Sequence, residues 1–205
     1  IKMKQIDFDH GTVIGNILGA ALPMLVAQIL SLLYNIVDRI YIARIPSVGT
    51  TALGAVGLCF PIIVIITAFS NLFGSGGAPL FSINRGKGNI KKAEAIMNTS
   101  FSMLCICGVT LMVIGMLFAS PILVLFGASE EGLSYAYPYM MIYLIGTVPS
   151  MIATGMNPFI NAQGYATSGM LSVTIGAVAN LILDPLFIFG LNLGIKGAAI
   201  ATIIS

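Results

Sequence analysis

Residues 12–42 read TVIGNILGAALPMLVAQILSLLYNIVDRIYI, and no charged side chain occurs before Asp38. An α-helix rises 1.5 Å per residue and the hydrocarbon core of a bilayer is about 30 Å thick, so about 20 apolar residues cross it. The stretch is long enough to span, with residues to spare. Read the same way, the chain beyond it predicts spans at about 51–73, 93–118, 134–159 and 167–190. A sixth run covers 196–205 and is too short to cross, so the chain is expected to be cut inside a helix. The expected fold class is an all-α polytopic membrane protein, a six-helix transmembrane bundle forming one lobe over 1–205. Composition agrees: 8% of the residues are charged, against about 25% in a soluble domain. A membrane β-barrel would show short alternating segments, and none occur.

Several function classes fall away. A net charge of +2 is too small to suggest nucleic acid. Cys59, Cys105 and Cys107 lie in apolar runs and read as small hydrophobes, not a disulfide framework. The one histidine, His10, sits in the polar N-terminal segment, and no Cys/His spacing suggests zinc. The first apolar run is too long for a signal peptide and is expected to be retained. The stretch Gly74-Ser-Gly-Gly-Ala-Pro-Leu through Arg85-Gly-Lys-Gly lacks the spacing of a phosphate-binding loop. Its early glycines read as close helix packing, and its basic residues as a cytoplasmic anchor. No enzyme constellation and no cofactor site emerge.

Charge sets an orientation, because cytoplasmic loops carry the Lys/Arg excess. Lys2, Lys4, Arg85, Lys87, Lys91 and Lys92 fall on one side; Arg39, Arg44 and Lys196 fall on the other. The N-terminus is therefore expected inside, with Glu130 and Glu131 outside.

Ionisable groups within spans are costly and usually functional. Two acids qualify, Asp38 and Asp184. Asp184 lies seventeen residues above the start of its span, roughly 25 Å up the core. Asp38 is near the same end of span one, and Thr202 is roughly 9 Å below it. Tyr139, near the outer start of span four, can join that layer. Asn180 and Asp184 are four apart and share a helix face. Gln28, Ser31, Asn35 and Asp38 follow spacings of three, four and three, making one polar stripe that faces protein or a watery cavity. The plainer reading of these amides and hydroxyls is interhelical glue. Gln28, Ser31, Asn35 and, in span four, Asn157 are the candidate substrate-contacting residues. Pro185 lacks an N–H and frees the carbonyl of Leu181 beside the Asn180–Asp184 pair; Pro23 frees that of Gly19 and bends span one. Both are candidate hinges, though a static kink explains them equally. Carboxylate, amide and loose carbonyl together suit a hard cation or a hydrated proton.

The ordered stretches Leu22-Pro23, Val37-Asp38-Arg39-Ile40-Tyr41-Ile42, Ala52-Leu53-Gly54-Ala55-Val56-Gly57 with Pro61, Gly74-x-Gly-Gly-Ala, Ala162-Gln163-Gly164, Asn180-Leu-Ile-Leu-Asp184-Pro185 and Gly194-x-x-Gly-Ala-Ala resemble the multidrug and toxic compound extrusion (MATE) transporters. The resemblance implies twelve helices in two lobes around a cavity that opens alternately to each face, of which this chain would be the first lobe and the absent C-terminal lobe its partner. It implies export of organic cations and other amphipathic, drug-like molecules in exchange for H⁺ or Na⁺, across a bacterial or archaeal plasma membrane with the N-terminus cytoplasmic and lipid all round. It implies a coupling site of an Asp in helix one, Asn and Asp in helix five and Thr in helix six, matching Asp38, Asn180, Asp184 and Thr202, with Tyr139 beside it and Pro23 as the bend. Arg39 and Arg44 depart from the family by making this end of helix one more basic. Rival readings are a lipid-linked precursor flippase, whose diphosphate needs several central cations, a membrane-embedded transferase, which needs a loop cluster of acids or histidines, and a non-transporting channel module.

Overall fold

The computed structural model describes residues 12–205, which are helical almost throughout and contain no strand. Lys2, Lys4 and His10 lie outside the described residues. Helix α1 runs Val13–Ala43, started by Thr12, whose hydroxyl accepts the Gly15 N–H. Helix α2 runs Gly49–Gly86, α3 Ile90–Leu117 and α4 Ala119–Leu125. Asn89 caps α3 by accepting the Lys92 N–H at 3.2 Å. Helix α5 is Glu130–Ile145, capped by Ser129, with Glu130 and Glu131 in its first turn, where the helix dipole favours carboxylates. Helices α6 (Thr147–Ala162), α7 (Ala166–Pro185) and α8 (Ile195–Ile204) complete the chain.

Two elements differ from the expected spans. Span two was expected to end at 73 in a glycine-rich loop, but α2 continues unbroken to Gly86. A mid-helix glycine costs about 1 kcal/mol, and Gly74, Gly77, Ala78 and Phe81 of this stretch are buried, so packing keeps the chain helical. The glycines serve contact: a Cβ on Gly74 would collide with the Gly155 backbone of α6, and one on Gly77 would strike Ser100 and Phe159. Span four was expected continuous over 134–159. It is instead two helices, α5 and α6, bent by 56°. The elbow, Gly146, is closed from the other side by Ile203 of α8, leaving no room for a side chain.

Among the described residues four helices are long and apolar enough to cross a membrane, the bent α5–α6 pair is a fifth when counted as one span, and α8 is a shorter apolar helix. Helix α2 is the frame, packing on α3, α5 and α6. It does so through a buried row, Ala52, Ala55, Cys59, Ile62, Ile66, Ser70, Gly74, Gly77 and Phe81, at helical spacing. Helix α1 is attached differently: it packs mainly on α7, and Ile42 is its one fully buried residue. The many exposed large apolar side chains on α1 and α3 are what a surface turned to acyl chains requires.

These contacts give a paired test on the full-length protein in detergent. Gly74→Val should lower the thermal midpoint, by about 1–3 kcal/mol of overpacking. At Gly76 an added Cβ meets nothing within 4 Å, so Gly76→Ala should leave the midpoint unchanged or raise it.

Candidate functional site

The seam between α1 and α7 brings the two intramembrane acids together. Asp184 is fully buried and Asn180, one turn before it, is 1% exposed. The Asn180 amide donates to Asp184 Oδ1 at 3.2 Å. The Asp38 carboxyl reaches across from α1 to within hydrogen-bonding distance of Asp184. Three oxygens in this group are sealed from solvent without a protein donor: Asp38 Oδ1, Asn180 Oδ1 and Asp184 Oδ2. Tyr139 of α5 is buried against the pair, close enough to interact with both carboxyls, and its ring stacks on Tyr143 with centroids 6.4 Å apart. Asp184 is buried and Asp38 half-buried, and two carboxyls in contact in such surroundings favour a shared proton or a bound cation over two unscreened negative charges. The oxygen donors fit a proton shared between the acids or a hard cation such as Na⁺. Among the described residues no three His, Cys, Asp or Glu gather as a transition metal would require.

Thr202 is tied to the same level by register. Gly197 abuts the Phe187 carbonyl and Gly176 faces the Ser205 carbonyl, so α8 runs antiparallel to α7 with Thr202 level with the Asn180 turn. Its hydroxyl donates to the Ala198 carbonyl at 2.9 Å, which leaves oxygen lone pairs as acceptors. Pro185 ends α7, and the chain continues in a single π-helical turn, Leu186–Gly190, closed by the Leu191 N–H on the Leu186 carbonyl at 2.9 Å. Such turns arise where the regular ladder is interrupted. Pro23 lies inside α1, fifteen residues from Asp38.

The other expected residues divide. Gln28 and Asn35 are exposed on α1, whereas Ser31 is partly covered. Asn157 belongs to a different group: its amide donates to the Gly169 carbonyl and its oxygen accepts from Asn161, clamping α6 to α7. Sequence reasoning missed a second stripe. Thr67, Asn71 and Ser75 are exposed at four-residue spacing on α2, the same signal that singled out Gln28 to Asp38. The Arg39 guanidinium of α1 lies 5.7 Å from the Phe60 ring of α2. The opposite flank of α1, through Leu18, Leu22, Leu25, Ile29, Ile36 and Ile40, is wholly apolar. Helices α1 and α2 thus each carry an exposed polar row, and α1 also carries an apolar flank that fits lipid.

Comparison with known proteins agrees with this architecture. The family model described as MatE matches residues 23–186. A FAD transporter of Shewanella oneidensis is 31% identical over 193 residues, which is 92% of this chain and 42% of that protein. The multidrug export protein MepA of Staphylococcus haemolyticus is 29% identical over 198 residues, 97% of this chain and 43% of that protein. The structure of an outward-facing multidrug resistance MATE family transporter of the MOP superfamily superposes with a TM-score of 0.85 at 28% identity, over 92% of this chain and 41% of the other. The chain thus spans less than half the length of the curated relatives it matches.

A membrane-soluble carbodiimide couples to protonated carboxyls in apolar surroundings. Treated full-length protein should carry the adduct on the peptide with Asp38 or that with Asp184, as read by mass spectrometry. The exposed Glu94, Glu130 and Glu131 should stay unlabelled, and Asp38→Asn with Asp184→Asn should abolish labelling. Adducts confined to the glutamates would count against a shared proton in the seam.

Proposed function

Because the chain belongs to the MatE family, we propose that it contributes one lobe of an antiporter that expels small amphipathic molecules, organic cations among them, in exchange for H⁺ or Na⁺. The observation that carries the reading is the contact between the Asp38 and Asp184 carboxyls in a layer where three oxygens have no protein donor. Asp184 and Asn180 hold the entering cation from α7, Asp38 holds it from α1, and Thr202 adds an oxygen from α8. Tyr139 closes the layer from α5 and keeps water out.

Coupling then follows from how α1 is held. Because α1 rests on α7 and has only slight contact with α2 and α8, the charge state of the Asp38–Asp184 pair decides how well it docks. With a proton or cation aboard, the pair is mutually attractive and the seam closes. Without it, two carboxylates repel and α1 is released, bending at Pro23, where the Gly19 carbonyl has no helical donor. Gln28 and Asn35 on α1 move with that bend relative to Thr67 and Asn71 on α2, so a molecule resting between them meets two different surfaces. A ligand and a cation exchange only if they favour different states, and a hinge at the shared helix supplies that difference. A flippase for a lipid-linked diphosphate is less well served, because Arg39 is the one cation on the polar flank among the described residues.

In liposomes holding the full-length protein, an inward H⁺ or Na⁺ gradient, imposed separately, should drive uphill efflux of a fluorescent organic cation. Asp38→Asn and Asp184→Asn should each lower that efflux by roughly tenfold or more while leaving membrane insertion intact. Wild-type efflux under neither gradient, or undiminished efflux in both variants, would sink the reading. Pro23→Ala restores the missing helix bond and should slow efflux while the variant remains as stable as the parent or more so.

A further inference from the structure

A groove between α2 and α3 has no part in the transport reading. It holds about 430 Å³ and lies among Leu72, Gly76, Leu80, Ile96 and Thr99, with Lys92 at one end. On α2 the lining residues Leu72, Gly76 and Leu80 recur every fourth position. Each lies one residue, or about 100°, round the helix from the polar row of Asn71 and Ser75. The groove is therefore on a different flank from the polar one. From Lys92 up α3 and from Leu80 along α2, it is roughly 12 Å long.

Two adjacent glycines shape it. At Gly77 an added Cβ would run into Ser100 and Phe159, so that glycine sets how closely α2 packs. At Gly76 it would meet nothing within 4 Å, so that glycine leaves the groove open. Apart from Lys92, the lining offers apolar side chains and the hydroxyls of Thr99 and Ser100. Lys92 stands where α2 ends and α3 begins, which is where a lipid headgroup would meet the protein. Between residues 85 and 94 the chain carries Arg85, Lys87, Lys91 and Lys92 against one carboxylate, Glu94. The α3 N-terminus adds its positive dipole end. An open apolar furrow with a cation at one end, beside a strongly basic segment, is complementary to one class of molecule.

We propose that this groove binds an anionic phospholipid, with an acyl chain laid against Gly76 between Leu72 and Leu80 and the phosphate paired with Lys92. Neutral lipid fills the same apolar volume but gains nothing at Lys92, so the site selects by headgroup charge. The lipid fills the gap between the long α2 and its neighbour α3, on the side of the lobe that the transport site does not use.

The test reconstitutes the full-length protein with equal phosphatidylglycerol and phosphatidylcholine, then counts retained lipids by native mass spectrometry after mild detergent extraction. The parent should retain one phosphatidylglycerol in clear preference to phosphatidylcholine. Lys92→Gln should weaken that retention about fivefold. Lys87→Gln, outside the groove, should change it far less. At Gly76 an added Cβ meets nothing within 4 Å, so Gly76→Leu projects its side chain into the groove; the variant should keep its thermal midpoint in phosphatidylcholine and lose the retained lipid. No preference in the parent, equal losses in Lys87→Gln and Lys92→Gln, or undiminished retention in Gly76→Leu would each overturn the proposal. The last result would mean that the retained lipid sits elsewhere on the protein.

Discussion

The contact between Asp38 and Asp184 is the constraint around which the lobe is arranged. Placing one carboxyl beyond the reach of water is costly, and placing two in contact costs more unless a proton or a cation joins them. The surrounding elements look built to tolerate that pair. Asn180 gives Asp184 a donor one turn away, Tyr139 packs from α5, and the π-helical turn after Pro185 loosens the backbone beside them. The pair also crosses the seam between α1 and the rest of the lobe. Since α1 buries little beyond Ile42, its attachment and the charge state of the acids are a single variable. No separate relay is needed between an ion site and a moving helix when the ion site is part of what holds the helix.

How much of this was legible depends on which physical signal each feature left in the chain. Hydropathy and length were enough for the all-α membrane class, because the bilayer thickness admits few alternatives. The end of α2 was not legible. Gly74 to Gly86 has the composition of a loop, and what keeps it helical, the burial of Gly74, Gly77 and Phe81, is tertiary. The break at Gly146 was hidden for another reason. Pro138, Pro149 and Pro158 are the visible breakers in that stretch, yet the helix bends at a glycine between them, because Ile203 of a distant helix occupies the space. That cause is tertiary and leaves no local trace.

The candidate site divides along the same line. Asp38, Asn180 and Asp184 were legible because acids inside apolar runs are rare, and the four-residue spacing puts two of them on one face. Their meeting with α1 depended on helix packing that spacing alone does not specify. Asn157 shows the limit. An amide in a span signals a polar partner but not which one, and here the partner is the Gly169 carbonyl with Asn161 beside it. Thr67, Asn71 and Ser75 carried the same periodic signal as the α1 stripe. No charged side chain accompanies them in α2 before Arg85, so nothing raised them above ordinary interhelical polar contacts.

Helix α2 separates three environments. Its buried row holds the bundle, the row of Thr67, Asn71 and Ser75 lies on the side of α1, and the Gly76 row opens toward α3 and lipid. The buried row approaches α6 closely enough that Gly74 meets the Gly155 backbone and Gly77 meets Phe159. Contacts of backbone on backbone have no rotamers to adjust, so α2 and α6 cannot slide without breaking the interlock. Helix α1 has no comparable interlock, has a proline in its middle, and meets α7 over acids whose attraction changes sign with charge. A lobe built this way has one stiff frame and one helix free to respond. The polar surface lies between them, where a change in the angle of α1 alters its shape most.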